Sequence, residues 1–152
     1  MALTIKKITL WRTEVENKPG ALASVLGPLA DAGADLHVVM GYRFPGNASK
    51  AAIEVFPVSR KKVVDAASSA GLSASAIPTL LIEGDNKPGL GKAISEAIAG
   101  AGINLDFLVT QVIGRKYSCV IGFENEGDAK KAANLIKKAS AAKKKAPAKR
   151  KK

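Results

Sequence analysis

The chain is poor in the residues that carry most side-chain chemistry: it has one cysteine and one histidine in 152 residues. Cys119 has no partner for an internal disulfide, which fits a reducing compartment. His37 stands alone on a predicted strand, with no cysteine or carboxylate cluster at metal-ligand spacing. No metal site is expected, and no cofactor is implied. The sequence contains no serine elbow, no cysteine with a base partner and no paired acids in a recognisable motif, so it is not expected to be an independent enzyme. Gly89-Leu90-Gly91 at a helix start is too short for a dinucleotide fingerprint. No apolar run approaches the ~20 residues of a membrane helix. The opening residues, Met1-Ala2-Leu3-Thr4-Ile5-Lys6-Lys7, lack the apolar stretch and cleavage site of a signal peptide. The expected location is cytoplasmic, with no membrane partner.

Hydrophobic residues make up 47% of the chain, which fits a folded globular protein. The length suits one ordinary domain or two small units of about 70 residues. The net charge of +11 is unevenly placed. Residues 143–152 hold six lysines and one arginine with no acid, so the first 142 residues carry only +4. This segment, 142–152, has no apolar face and repels itself, so it is expected to be a disordered Lys-rich tail. Lys143, Lys144, Lys145, Lys149, Arg150, Lys151 and Lys152 are candidates for nonspecific, salt-sensitive contact with nucleic acid through counterion release. The tail has no aromatic residues for base stacking and no recognition helix, so sequence-specific reading is not supported. A solubilising tail is the equally plain alternative.

The strongest positive signal is an internal repeat. Glu16-Asn17-Lys18-Pro19-Gly20-Ala21-Leu22 recurs 69 residues later as Asp85-Asn86-Lys87-Pro88-Gly89-Leu90-Gly91. The register continues without a gap through Ala32-Gly33-Ala34-Asp35-Leu36 and Ala101-Gly102-Ile103-Asn104-Leu105. Before the first loop, Thr9 to Glu16 alternates with Trp11, Thr13 and Val15 on one face, as in a strand. After it, Leu22, Val25, Leu26 and Leu29 follow helical spacing, with Pro19 in the first turn, Pro28 inside and Gly33 at the stop. Strands are predicted over Leu36 to Phe44 and around Ala51 to Val55. A helix capped by Ser59 then ends near Gly71. The second copy repeats the order: Leu80 to Glu83, a helix from Pro88 to Ala101, a strand with Leu105, Phe107 and Val109 alternating, a turn at Gly114-Arg115-Lys116, a strand from Tyr117 to Phe123, and a helix from Asp128 to about Ala141. The units are residues 1–71 and 72–141, and the class is α+β. Each unit reads β-α-β-β-α, with helices that must cover one sheet face. Nothing strand-like follows the last helix, so the missing fourth strands are sought in front of each copy. Leu72–Ile77 is predicted to complete the first sheet and Leu3–Ile8 the second.

A βαββαβ unit with an Asn-x-Pro-Gly loop between its first strand and helix resembles the ACT domain family. Asn17-Lys18-Pro19-Gly20-Ala21-Leu22 matches that loop, as does Asn86-Lys87-Pro88-Gly89-Leu90, although Gly91 stands where the first copy has Leu22. The resemblance covers roughly residues 1–141. It implies two ferredoxin-like units with antiparallel sheets covered by helices on one face. It also implies binding of a free amino acid or similar metabolite between neighbouring units, or between subunits of a homodimer. Carried over by position, the ligand-binding candidates are Asn17, Pro19, Gly20, Ala21 and Leu22 with Asn86, Pro88, Gly89 and Leu90. Asp35 and Asn104 are the strand-start partners. Two residues before each loop asparagine, where some members carry a histidine, this chain has Val15 and Gly84.

The local chemistry points the same way. A helix start presents unpaired N–H groups and the positive end of the helix dipole, which suit a carboxylate. The N–H groups of about Gly20 to Leu22 and Gly89 to Gly91 are the candidates. An Asn amide both donates and accepts, and Asp35 could neutralise an ammonium. Pro-Gly after a strand is also an ordinary strand-to-helix turn, and Asp35 and Asn104 could simply close helix–strand turns. The function read from sequence is a non-catalytic regulatory protein that senses an amino acid or related metabolite and signals to a separate protein partner. The alternative is a nucleic-acid-associated protein whose basic tail does the binding and whose folded part is a dimerisation scaffold.

Overall fold

The computed structural model describes residues 3–144. In chain order the elements are β1 (Thr4–Ile8), β2 (Trp11–Glu16), α1 (Ala21–Asp31), β3 (Val38–Phe44), β4 (Asn47–Phe56), α2 (Lys61–Ser69), β5 (Ser73–Ala74), β6 (Thr79–Asp85), α3 (Leu90–Gly100), β7 (Leu105–Ile113), β8 (Lys116–Phe123) and α4 (Glu126–Lys144). The chain divides into two compact units. The first module is Thr9–Ala76. The second joins the segment through Ile8 to the described residues from Ile77 onward.

Each module is a four-stranded antiparallel sheet with two helices. The first sheet has the order β3-β4-β2-β5 and the second β1-β6-β8-β7. Strand β5 pairs with β2 through Trp11↔Ala74 and Arg12↔Ser73. Strand β1 pairs with β6 along its whole length, from Thr4↔Glu83 to Ile8↔Thr79. The strand in front of each sequence copy therefore belongs to the other copy's sheet. The compact units are cut after Ile8 and Ala76, whereas the sequence repeat is cut at 71/72.

The helices cover one face of each sheet because their apolar residues recur at helical spacing. In the first module Val25 and Leu29 of α1 and Val63 and Ala67 of α2 pack on Ile53 and Val55 of β4. In the second, Ile94 and Ile98 of α3 and Ala129, Ala132 and Ile136 of α4 pack on Leu80, Ile82, Tyr117, Cys119, Ile121 and Phe123. Helix boundaries differ from the sequence reading. Helices α1 and α3 start at Ala21 and Leu90 behind N-cap Gly20 and Gly89, so Pro19 and Pro88 precede the helices instead of standing in their first turns. Arg60, not Ser59, takes the N-cap position of α2, with no side-chain cap. Its guanidinium instead donates to the carbonyl of Gly33, just past α1. Helix α4 begins two residues before Asp128, behind an Asn125 side chain that accepts the Asp128 N–H at 2.8 Å. Its backbone continues to Lys144, inside the segment expected to be a disordered tail.

Two strand glycines in the second module lie under aromatic rings. Gly84 faces Tyr117 across β6 and β8, and Gly122 faces Phe107 across β8 and β7. A Cβ at Gly122 would sit 2.3 Å from the Phe107 ring, and one at Gly84 would sit 3.0 Å from Tyr117 Cε1. These glycines admit rings that lean across the sheet, and the rings replace the packing the glycines lack.

A bulge corrects the reading of β7. The register shifts between Leu105 and Phe107, so Leu105 pairs with Phe123 while Phe107 pairs with Gly122. The extra residue reverses the alternation. Leu105, Phe107 and Val109 do not share a face. Leu105 packs on the helix-side core, and beyond the bulge Leu108, Thr110 and Val112 take that side.

Candidate functional site

Both Asn-Lys-Pro-Gly loops have the same backbone construction. The Asn17 N–H donates to the Ser49 carbonyl at 2.9 Å and the Asn86 N–H to that of Arg115 at 2.8 Å, pinning each loop to the hairpin of its own module. Ala21 and Leu90 then donate to Lys18 and Lys87 at 3.2 Å, closing a turn. Gly20 and Gly89 sit at φ 87° and 84°, the left-handed region where a side chain is strained. Ser24 and Ala93 begin the helical ladder by donating to Gly20 and Gly89 at 3.0 Å.

This geometry narrows the donor set read from sequence. The N–H groups of Ala21 and Leu90 are used by the turn. The groups that lack a helical acceptor by position are those of Leu22 and Ala23 in α1 and of Gly91 and Lys92 in α3. Neither helix has an acid in its first turn, so no side chain neutralises the positive dipole end. Helix α4, by contrast, carries Glu126 and Asp128 there.

A cavity opens beside each loop, between the helix start and the helix side of the sheet. The second module's cavity is about 340 Å³ and is reached by the whole loop, Asn86 to Gly91. Its walls are Ile94 and Ser95 of α3, Leu108, Thr110 and Val112 of β7, and Tyr117 and Cys119 of β8. The first module's cavity is about 240 Å³ and is lined by Asn17, Lys18, Ala21 and Leu22, but not by Pro19 or Gly20. Its remaining wall includes Glu16, Gly41, Tyr42 and Arg43. Among these, the Asn17 amide donates to the Ala48 carbonyl at 2.9 Å, and the Tyr42 hydroxyl donates to the buried carboxylate of Glu54 at 2.9 Å. Burial and Glu54 together push the Tyr42 pKa up.

Asp35 and Asn104 line neither cavity. The Asp35 carboxylate lies 3.5 Å from His37 at an exposed site, and Asn104 donates to Glu124 at 3.2 Å. At the rim of the second loop Asp85 accepts from Lys116, which holds its carboxyl at about 2, below the ordinary 3.8. The cavity walls on β7 and β8 were not singled out as a site from sequence. The signal that could have found them is the alternation Leu108, Thr110, Val112, which the bulge at Leu105–Phe107 conceals.

Cys119 is 2% exposed at the floor of the second cavity, and burial raises its pKa from 9.0 to about 11. A hydrogen bond with Thr110 acts weakly in the other direction. Two pH units reduce the thiolate about 100-fold at neutral pH. Alkylation of the native chain by iodoacetamide is expected to be at least ~100-fold slower than that of the urea-unfolded chain. Comparable rates would contradict the burial.

Comparison with solved structures places the fold. Protein BT0572 from Bacteroides thetaiotaomicron superposes with a TM-score of 0.72 at 18% identity, covering 90% of both chains. The regulatory subunit of aspartate kinase from Thermus thermophilus gives 0.61 at 18% identity, covering 91% of this chain and 97% of that one. The chain has the fold of an aspartate kinase regulatory subunit. The corresponding subunit from Thermus flavus agrees, with a TM-score of 0.58 at 17% identity over 92% of this chain and 97% of that one. No protein-family profile matches the chain, and no curated protein sequence matches it.

Among the described residues no group of three potential metal ligands occurs, and no helix is long and apolar enough to cross a membrane. Of the basic candidates, only the backbones of Lys143 and Lys144 are described, at the end of α4. Lys145, Lys149, Arg150, Lys151 and Lys152 lie outside the described residues. The nucleic-acid alternative gains no support from the structural relatives.

Proposed function

We propose that this chain is a non-catalytic regulatory protein of the ACT type that binds a free amino acid or similar small metabolite at its Asn-x-Pro-Gly loops. The observation that carries this reading is the meeting, at one loop, of uncommitted helix-start N–H groups with a concave wall of β7 and β8 side chains. A carboxylate placed there gains charge-assisted hydrogen bonds and the favourable end of the α3 dipole. The fold shared with aspartate kinase regulatory subunits supports the same role, because those proteins are regulatory by description. Binding would act on a separate protein partner, and its effect is bounded by the ligand's differential affinity for the chain's conformations.

A homo-oligomer also fits. Strand β7 ends its sheet, and Val109, Val112 and Ile113 are 45%, 52% and 69% exposed on it. Residues 107–113 carry no charge to discourage strand pairing. Analytical ultracentrifugation should show a dimer, and a monomer at every concentration would contradict this assembly.

Thermal melting of the full chain against each of the twenty amino acids tests the binding role. At least one should raise the melting temperature progressively with concentration, by several degrees at 100 times its Kd, where the stabilisation is about 2.7 kcal/mol. No shift with any of them at millimolar concentration would contradict the reading.

A further inference from the structure

The two loops share a backbone but not a binding chemistry. The β7 and β3 walls can be compared through their sheet registers. Val112 pairs with Tyr117 next to Gly84, and Arg43 pairs with Ala51 next to Val15. By that alignment Arg43 stands where the second module has Val112, Gly41 stands for Thr110 and Val39 for Leu108. Leu22, 43% exposed, stands at the helix start where the second module has Gly91, which has open space around it. The first cavity is thus narrowed at its mouth and charged on its wall. At about 240 Å³ it falls below the roughly 300–1,000 Å³ of ordinary small-molecule pockets, whereas 340 Å³ falls within it.

The second cavity is open for a specific reason. Gly84 lets the Tyr117 ring lean back over β6, within 3.0 Å of where a Cβ would stand. The space in front of β7 stays clear, walled by Leu90, Ile94, Leu108 and Val112. The lining includes one cation, Lys87, and no carboxylate. A ligand's negative end is matched there, while a charge carried in among the apolar walls would cost several kcal/mol.

We propose that the second loop alone is the ligand site, and that its ligand is a small carboxylate with an aliphatic side chain. The carboxylate lies at the N–H groups of Gly91 and Lys92 near Lys87, and the aliphatic part lies among Leu90, Ile94, Leu108 and Val112. This rests on the regulatory reading above and adds to it the ligand class and the inequality of the two modules.

Calorimetric titration of the full chain tests it with leucine, 4-methylpentanoate, 3-methylbutylamine, aspartate and lysine. Leucine and 4-methylpentanoate should bind with one equivalent per chain, while the amine, aspartate and lysine should bind at least tenfold more weakly. Leu108→Lys and Val112→Lys, at positions 40% and 52% exposed, should each weaken leucine at least tenfold, with circular dichroism confirming the fold. Arg43→Ala should leave it unchanged. Should either lysine variant fail to fold, Gly91→Leu supplies the same test by importing the first module's residue. Tight aspartate or lysine binding with leucine excluded would overturn the ligand class and leave the regulatory role standing. Binding of the amine as tight as that of 4-methylpentanoate would overturn the carboxylate assignment. Two equivalents, or sensitivity to Arg43→Ala without sensitivity at Leu108, would overturn the single site. No binding of leucine or 4-methylpentanoate would overturn this proposal, and the regulatory reading falls with it only if the melting test with all twenty amino acids also shows no shift.

Discussion

A chain lacking residues 1–8 is expected to lose stability in the second module on the order of 3–6 kcal/mol. The figure follows from losing the burial of Ile5 and Ile8 on β1, at roughly 1.5–3 kcal/mol for each isoleucine side chain. Ile8 is 6% exposed, and Ile5 packs against the second module's core. The strand also supplies the outer hydrogen-bonding partner of β6. Its loss would leave Leu80 and Ile82 on a bare edge. Hydrogen exchange of amides in β6 and β8 should accelerate, while the unit around β2 and β4 keeps its protection. This separates the result from a general loss of folding, because the deleted residues are remote in sequence from β6 and adjacent to β2. Unchanged protection in β6 would contradict the pairing.

Gly122→Ala is the second substitution with a large expected effect, about 1–3 kcal/mol of destabilisation. The new methyl would lie under 3.0 Å from three atoms of the Phe107 ring. The ring must leave its place across β8, or the strands must part. The claim is about a specific pair, so a double-mutant cycle decides it. In a Phe107→Ala background the added methyl has room, and the penalty at Gly122 should largely vanish. The same penalty in both backgrounds, measured by urea denaturation, would show that the ring is not what Gly122 accommodates.

How much of this was legible without coordinates depended on whether a feature is local. The loops, the helices and the α+β unit follow from short patterns: Pro-Gly just ahead of a helix, apolar residues three and four apart, β-branched runs. The strand exchange was also within reach, because the repeat leaves each unit one strand short and the only apolar candidates precede each copy. The cavity walls were not. Leu108, Thr110 and Val112 face the helix side only because a bulge after Leu105 reverses the alternation, and a single extra residue leaves no mark in a periodicity count. The inequality of the loops was visible only in part, where Gly91 replaces Leu22 and Gly84 replaces Val15 in the repeat. It comes from Arg43 and Val112, from Leu22 and Gly91, and from Tyr117 of β8, which leans over Gly84 two residues before the loop asparagine. The N-cap of α2 was missed for a related reason. Arg60 is held by a long-range contact to Gly33, which no local capping preference encodes.

The carboxylate position beside Gly91 is the centre of the functional account, and amide chemical shifts read it directly. In a titration of the isotope-labelled full chain with leucine, the Gly91 and Lys92 amides should move the most and saturate together, with Leu108 and Val112 following. Amides of Leu22 and Ala23 should stay in place. Saturable shifts confined to Leu22 and Ala23, or no saturable shift at either helix start, would contradict the account.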